Sequence, residues 1–202
     1  MNCSRRLCLF VAFLLTGCQF LNGAESPDRV AQLMGVDKGD TVADIGAGDG
    51  EWTFDLARRV GSDGHVYSTE IDVEKLEKLR DESEKQGFQN VTPVLAGRSN
   101  TNLPVDCCDS ILIRLVYHHF TQPQQMLESL KRAVRPGARV VIIDFRPGRL
   151  DPVPGVPENR GGHGVNPELV IQEMKAAGFT LEQQIDSWDD QKDRYCLVFN
   201  AP

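Results

Sequence analysis

The nonapeptide Val42-Ala43-Asp44-Ile45-Gly46-Ala47-Gly48-Asp49-Gly50, followed at once by Glu51, decides the fold. Its first half, with Thr41, is a short apolar, β-branched run of the kind that makes a strand buried on both faces. Its second half alternates glycine with small or acidic residues, which gives a turn whose backbone can come close to a ligand. The helix predicted to open at Glu51 leaves unpaired N–H groups facing that turn. Strand, glycine turn and helix in this order form the first half of a βαβ unit.

The pattern continues outward from there. Further strands are predicted at 65–71, 92–95, 110–115 and 139–145, with helices between them. Asp72 is placed to cap a charged helix carrying Leu76 and Leu79 that ends at Gly87. Thr121 is placed to cap a helix with Met126, Leu127, Leu130, Ala133 and Val134 on one face, stopped by Pro136-Gly137. Asn166-Pro167 starts another, with Leu169, Val170, Met174 and Ala177 inward and Gly178 beyond its end. This alternation predicts a mostly parallel sheet with helices on both faces, and the tail, 181–187 and 194–200, predicts a closing antiparallel pair. The stretch 146–166 holds four prolines and five glycines without periodicity. So long a connection beside a strand end is expected to cover substrate.

The chain has 202 residues, 22 basic and 29 acidic, for a formal net charge of −7. That suits one globular domain and disfavours nucleic acid as a partner, because phosphate neutralisation needs an excess of Lys and Arg. Of the six cysteines, Cys3, Cys8 and Cys18 lie near the start, leaving Cys107, Cys108 and Cys196 for the body. With no C-x-x-C pair or Cys/His cluster, no metal site is expected and these thiols read as small buried residues. Arg5-Arg6 and the apolar run 7–15 read as an export signal. Leu15-Thr16-Gly17-Cys18 resembles a bacterial lipobox, which implies lipidation at Cys18, and Ser4 to Leu9 loosely resembles a twin-arginine signal. The expected organisation is a signal peptide over 1–17, a linker over 18–29 and a folded domain over 30–202. The expected location is the bacterial cell envelope or periplasm, lipid-anchored, or the cytoplasm without a working signal.

The glycine loop has a partner in Glu70, at the end of the second strand and 24 residues after Gly46. A carboxylate there can accept two ribose hydroxyls. A dinucleotide loop reads G-x-G-x-x-G, whereas here the third glycine comes one residue early, and the acidic Glu51 stands where it belongs. Asp44 and Glu51 repel a pyrophosphate and suit a cation. On Asp44-x-Gly46-x-Gly48-x-Gly50, on Glu70 and on the segment 130–139, the sequence resembles the class I S-adenosylmethionine-dependent methyltransferases, over about 30–199. The segments 103–104, 109–112 and 116–120 resemble its small-molecule branch.

That resemblance implies a Rossmann-like, doubly wound α/β sheet of about seven strands, mostly parallel with an antiparallel C-terminal strand. It implies S-adenosylmethionine as cofactor, an unidentified small-molecule acceptor, and cofactor contacts from Asp44, Gly46, Ala47, Gly48, Gly50, Glu70 and Ile71. Ser99 or Asn100 stands where relatives often carry an acid for the adenine amine, and Arg114 is expected nearby. Methyl transfer needs alignment and exclusion of water more than covalent chemistry. An acceptor with an acidic proton also needs a base, for which His118 and His119 are the candidates. Tyr117 reads as packing with acceptor contact as its alternative, and His163 as a loop residue or acceptor contact. Trp52 and Phe54 read as core. Two other readings stand beside this one: a cofactor-poor or inactive envelope domain, since the periplasm is not expected to hold free S-adenosylmethionine, and a nicotinamide-dependent oxidoreductase.

Overall fold

The computed structural model describes residues 26–148, 154, 156 and 163–202. The predicted signal peptide, Cys18, and most of the proline- and glycine-rich stretch fall outside the described residues.

The order of elements is α1 (Pro27–Met34), β1 (Thr41–Ile45), α2 (Glu51–Val60), β2 (His65–Glu70), α3 (Val73–Gln86), β3 (Val91–Leu95), β4 (Cys108–Arg114), a 3₁₀ turn (Tyr117–His119), α4 (Pro123–Ala133), β5 (Val134–Phe145), α5 (Pro167–Ala176), β6 (Thr180–Ile185) and β7 (Arg194–Asn200). The seven strands form one sheet in the order β3-β2-β1-β4-β5-β7-β6. Neighbours from β3 to β5 are parallel, and β7 runs antiparallel to both β5 and β6. The doubly wound architecture expected from the sequence is present. The C-terminal hairpin, however, is inserted rather than appended: its second strand lies between β5 and its own partner.

Both faces of the sheet are covered, which explains the continuous apolar runs of the central strands. Alternate residues serve opposite faces. Ala43, Ile45, Ile111, Ile113, Val140 and Ile142 pack with Leu127 and Leu130 of α4 and Val170 and Met174 of α5. Val42, Leu112, Val141 and Ile143 pack with Val30 and Met34 of α1 and Leu56 and Val60 of α2. Cys107, Cys108 and Cys196 are buried in these layers.

Three local readings need correction. α1 starts at Pro27, capped by Ser26, inside the stretch read as linker. The cap of α4 is Gln122, without a side-chain hydrogen bond, and not Thr121; Pro123 at the first helical position sets the start instead. The helix then ends at Ala133, and Pro136-Gly137 lies within β5, which begins at Val134. The register between β4 and β5 shifts there, so the chain bulges rather than stopping.

Candidate functional site

A cavity of about 590 Å³ opens at the C-terminal ends of β1, β2 and β4, where the strand order reverses about β1 and β4. Its floor is the glycine turn. Gly46 has φ +72°, and a Cβ there would lie 2.5 Å from Val116 Cγ2. The first glycine is thus required by packing against the chain leaving β4. Gly48 has φ +56°, and a Cβ there would meet nothing within 4 Å. The second glycine therefore keeps space open for a ligand rather than for the protein.

Glu70 ties the turn to the second strand. Its Oε2 accepts from the Gly48 N–H at 3.0 Å, and its Oε1 accepts from the N–H groups of Ile71 at 2.7 Å and Asp72 at 3.0 Å. The carboxylate is held in one orientation at the rim. Ile71, more than half exposed beside it, offers an apolar surface to a flat group.

Asp44 is placed differently from the expectation. Side chains alternate along β1, so Asp44 points with Val42 toward α2 and not into the opening. It is buried and does not line the cavity. Its Oδ2 accepts from Thr53 Oγ1 at 2.7 Å, and that hydroxyl lies 2.6 Å from Ser68 Oγ. Burial pushes its pKa up to about 6, against the pull of the Thr53 hydrogen bond and of the nearby Arg114. Asp44 thus acts on the site through its field and by anchoring α2 behind the turn.

The remaining expectations divide. Ala47, Arg114 and His119 line the cavity, while Gly50, Ser99, Asn100, Tyr117, His118 and His163 do not. Gly50 instead caps α2, against Phe54 and Leu79. Asn100 Oδ1 is taken by Ser129 Oγ at 2.7 Å and the Asn102 N–H at 3.0 Å, so it braces the loop after β3. Arg98 and Thr101, which the sequence reading passed over, face the cavity instead. Tyr117 is fully buried and donates to Glu173 Oε2 at 2.8 Å, the packing role. Trp52, read as core, is both buried and part of the lining. Its Nε1 donor finds no partner among the described residues, and Arg114 lies over its ring at 5.0 Å.

His119 is exposed at the cavity, with its pKa pushed down to about 4 by partial desolvation and then by the neighbouring His118, so it is neutral near pH 7. His118 sits one ring behind it, the two centroids 4.1 Å apart. His118 is buried, and its Nδ1 lies 2.7 Å from Asp144 Oδ1. Asp144, at the end of β5, is a functional candidate that sequence reasoning missed. Its only signal was an acid in the otherwise apolar run 140–145. Leu115, between Arg114 and Val116 in the cavity wall, has φ +56°, strained for a residue with a side chain.

Among the described residues the lining carries Asp49, Glu51, Glu70 and Asp72 against Lys75, Arg98 and Arg114. The acids cluster on the glycine turn and the β2 end, where a pyrophosphate would have to lie. The site therefore favours a ligand with positive charge at the turn and a hydroxylated, then flat, portion toward Glu70 and Ile71.

The sequence pattern of the methyltransferase domain family matches residues 36–198, from the end of α1 to β7. The chain belongs to this family. The methyltransferase domain is 32% identical over 120 residues to the ubiquinone/menaquinone biosynthesis C-methyltransferase UbiE of Vibrio campbellii, covering 59% of this chain and 46% of that protein. It is 28% identical over 173 residues to the enzyme of the same name from Yersinia enterocolitica, covering 83% and 67%. The chain thus spans between about half and two thirds of the length of these relatives. Among solved structures, a SAM-dependent methyltransferase from Aquifex aeolicus superposes with a TM-score of 0.74 at 26% identity, covering 88% of this chain and 90% of that one.

Proposed function

We propose that this chain is an S-adenosylmethionine-dependent methyltransferase acting on a small-molecule acceptor. The observation that carries the reading is the Glu70 carboxylate fixed by the Gly48 N–H beside a glycine whose missing side chain leaves the cavity open. The residues present fit the cofactor. Glu70 keeps a lone pair on Oε2 for a ribose hydroxyl, Ile71 supplies a face for adenine, and Trp52 Nε1, without a partner among the described residues, is a donor for a carboxylate. Glu51 and Asp49 at the turn, with Asp44 behind it, favour a sulfonium and an ammonium and disfavour the pyrophosphate of a nicotinamide cofactor.

When bound, the cofactor supplies an electrophilic methyl group. The protein's part is orientation: the α2 N-terminus and the glycine turn hold one end, and Glu70 holds the other. Val116, Phe120 and Met126 add apolar wall that excludes water from the reacting centre. His119, neutral and at the opening, borders the side from which an acceptor approaches.

We further propose that the protein resides in the bacterial cell envelope or periplasm, anchored through Cys18, with the cytoplasm as the alternative if the signal does not work; Arg5-Arg6, the apolar run 7–15 and the Leu15-to-Cys18 motif support the envelope. A folded chain exported with its cofactor already bound reconciles that address with the chemistry.

Calorimetry and melting of the full chain in detergent test the cofactor reading. Saturating S-adenosylmethionine at about 100 times Kd should add about 2.7 kcal/mol, or roughly 5 to 10 °C. The gain should vanish in Glu70→Ala, and NADH should give none. A folded wild-type protein with no response to S-adenosylmethionine would overturn the assignment.

A further inference from the structure

Past Glu70 and Ile71, the cavity lining passes to the loop that leaves β3. The Ala96 N–H donates to the Glu70 carbonyl at 2.9 Å, so this loop runs beside Glu70 and Ile71, and the Gly97 N–H closes it by donating to the Asn100 carbonyl at 2.7 Å. Its other polar side chains are engaged by the protein. Asn100 Oδ1 accepts from Ser129 Oγ and from the Asn102 N–H. The Thr101 hydroxyl lies 2.9 Å from Ser129 Oγ and accepts from the Leu103 N–H at 3.3 Å. Arg98 differs from both. It is exposed, it lines the cavity, and its guanidinium has no hydrogen-bond or ion-pair partner among the described residues.

On this side of Glu70 the lining carries one acid among the described residues, Asp72, and α3 engages it. Its Oδ1 accepts from the N–H groups of Glu74 at 2.9 Å and Lys75 at 3.3 Å. A purine lying on Ile71 therefore meets, along the edge turned to the loop, a side chain that can only donate. A guanidinium is a planar fork of N–H donors without an acceptor. Adenine offers that fork N7 as an acceptor but sets its exocyclic amine, a donor, beside it, so one contact matches and the other opposes. A 6-oxo purine offers N7 and O6, two acceptors spaced for both arms of the fork.

We propose that Arg98 sets the purine specificity of the site, and that it favours a 6-oxo purine over adenine. The inference rests on the methyltransferase reading, which supplies the nucleoside and the place of its purine on Ile71. The site thereby holds a deaminated cofactor, in which an oxygen stands where the 6-amino group was. A carboxylate at position 98 would do the opposite, accepting from the amine and repelling O6.

The probes are S-adenosylhomocysteine and its 6-oxo counterpart, S-inosylhomocysteine, titrated by calorimetry into the full chain in detergent, and the readout is the ratio of their dissociation constants. In wild type the 6-oxo compound should bind about fivefold tighter. Arg98→Gln, whose amide both donates and accepts, should bring the two affinities level, and Arg98→Glu should make S-adenosylhomocysteine the tighter ligand. Both variants should melt as wild type does, because the Arg98 side chain is exposed and supports no other residue described. A guanidinium that merely covered the ring would weaken both compounds alike in Arg98→Gln and leave the ratio where it was, which overturns the proposal. So does a wild type without a preference for the 6-oxo compound. If the wild type binds neither compound, the methyltransferase reading itself fails.

Discussion

Exchanging the first two glycines of the turn for alanine, one at a time, separates packing from binding. At Gly46, φ is +72° and the new Cβ would lie 2.5 Å and 2.8 Å from the two methyl groups of Val116. The left-handed conformation costs an alanine about 1–2 kcal/mol. Val116 is β-branched and stiff, so rotating it cannot clear both overlaps, and overpacking adds about 1–3 kcal/mol. A total of about 2–5 kcal/mol lowers the melting temperature by roughly 4–20 °C in a domain of this size. At Gly48, φ is +56° but the Cβ meets nothing within 4 Å. Only the conformational cost remains, about 1–2 kcal/mol, while the methyl group occupies the space left for ligand. Gly46→Ala should therefore be markedly less stable than Gly48→Ala, and Gly48→Ala should be folded yet at least about tenfold weaker for S-adenosylmethionine. Thermal melts and calorimetry read both. Wild-type affinity in Gly48→Ala, or a larger loss of stability there than in Gly46→Ala, would refute this division of roles.

Other outcomes follow from single interactions. Asp44 has a folded pKa of about 6, above the ordinary 3.8, so its contribution favours the fold below about pH 4 and is lost as pH rises through 6. Asp44→Asn should thus raise the melting temperature at pH 8 relative to pH 4, while weakening S-adenosylmethionine; in wild type that affinity should fall as pH drops through about 6, and in the variant the dependence should flatten. Ser129 Oγ serves the buried Thr101 N–H at 3.0 Å and Asn100, so Ser129→Ala should cost about 1–3 kcal/mol in denaturant melts. The Arg139–Glu182 pair is paired through two contacts but partly exposed, and Arg139→Ala should change stability by less than about 1 kcal/mol.

Much of this arrangement was legible because local and global signals agree. β1 lies where its apolar run predicted, and α3 runs between its two signals, with Asp72 accepting from the N–H groups of Glu74 and Lys75 and Gly87 in the left-handed region. The loop–acid pair, Gly48 and Glu70, is joined by the hydrogen bond that their spacing invited. What was not legible depends on side-chain direction and on partners distant in sequence. Asp44 precedes the loop in sequence, but strand alternation turns it toward Thr53. Asn100 has the right chemistry for adenine, yet Ser129, on α4, claims it. The adjacency of His118 and His119 gave no hint of which would face the cavity, because the 3₁₀ turn and the contact with Asp144 decide that. Trp52 looked like core because it is core on one side and cavity wall on the other.

The position of β7 has a consequence for how the chain must be made. Residues 194–200 supply the ladder on which both β5 and β6 depend. Until they leave the ribosome, β6 has nothing to pair with and β5 exposes a bare hydrogen-bonding edge. The sheet is therefore completed only once β7 has been made, after both of the strands that it joins. Removing those seven residues would cost far more than a frayed tail: it would detach β6 as well and leave an open strand edge primed for aggregation.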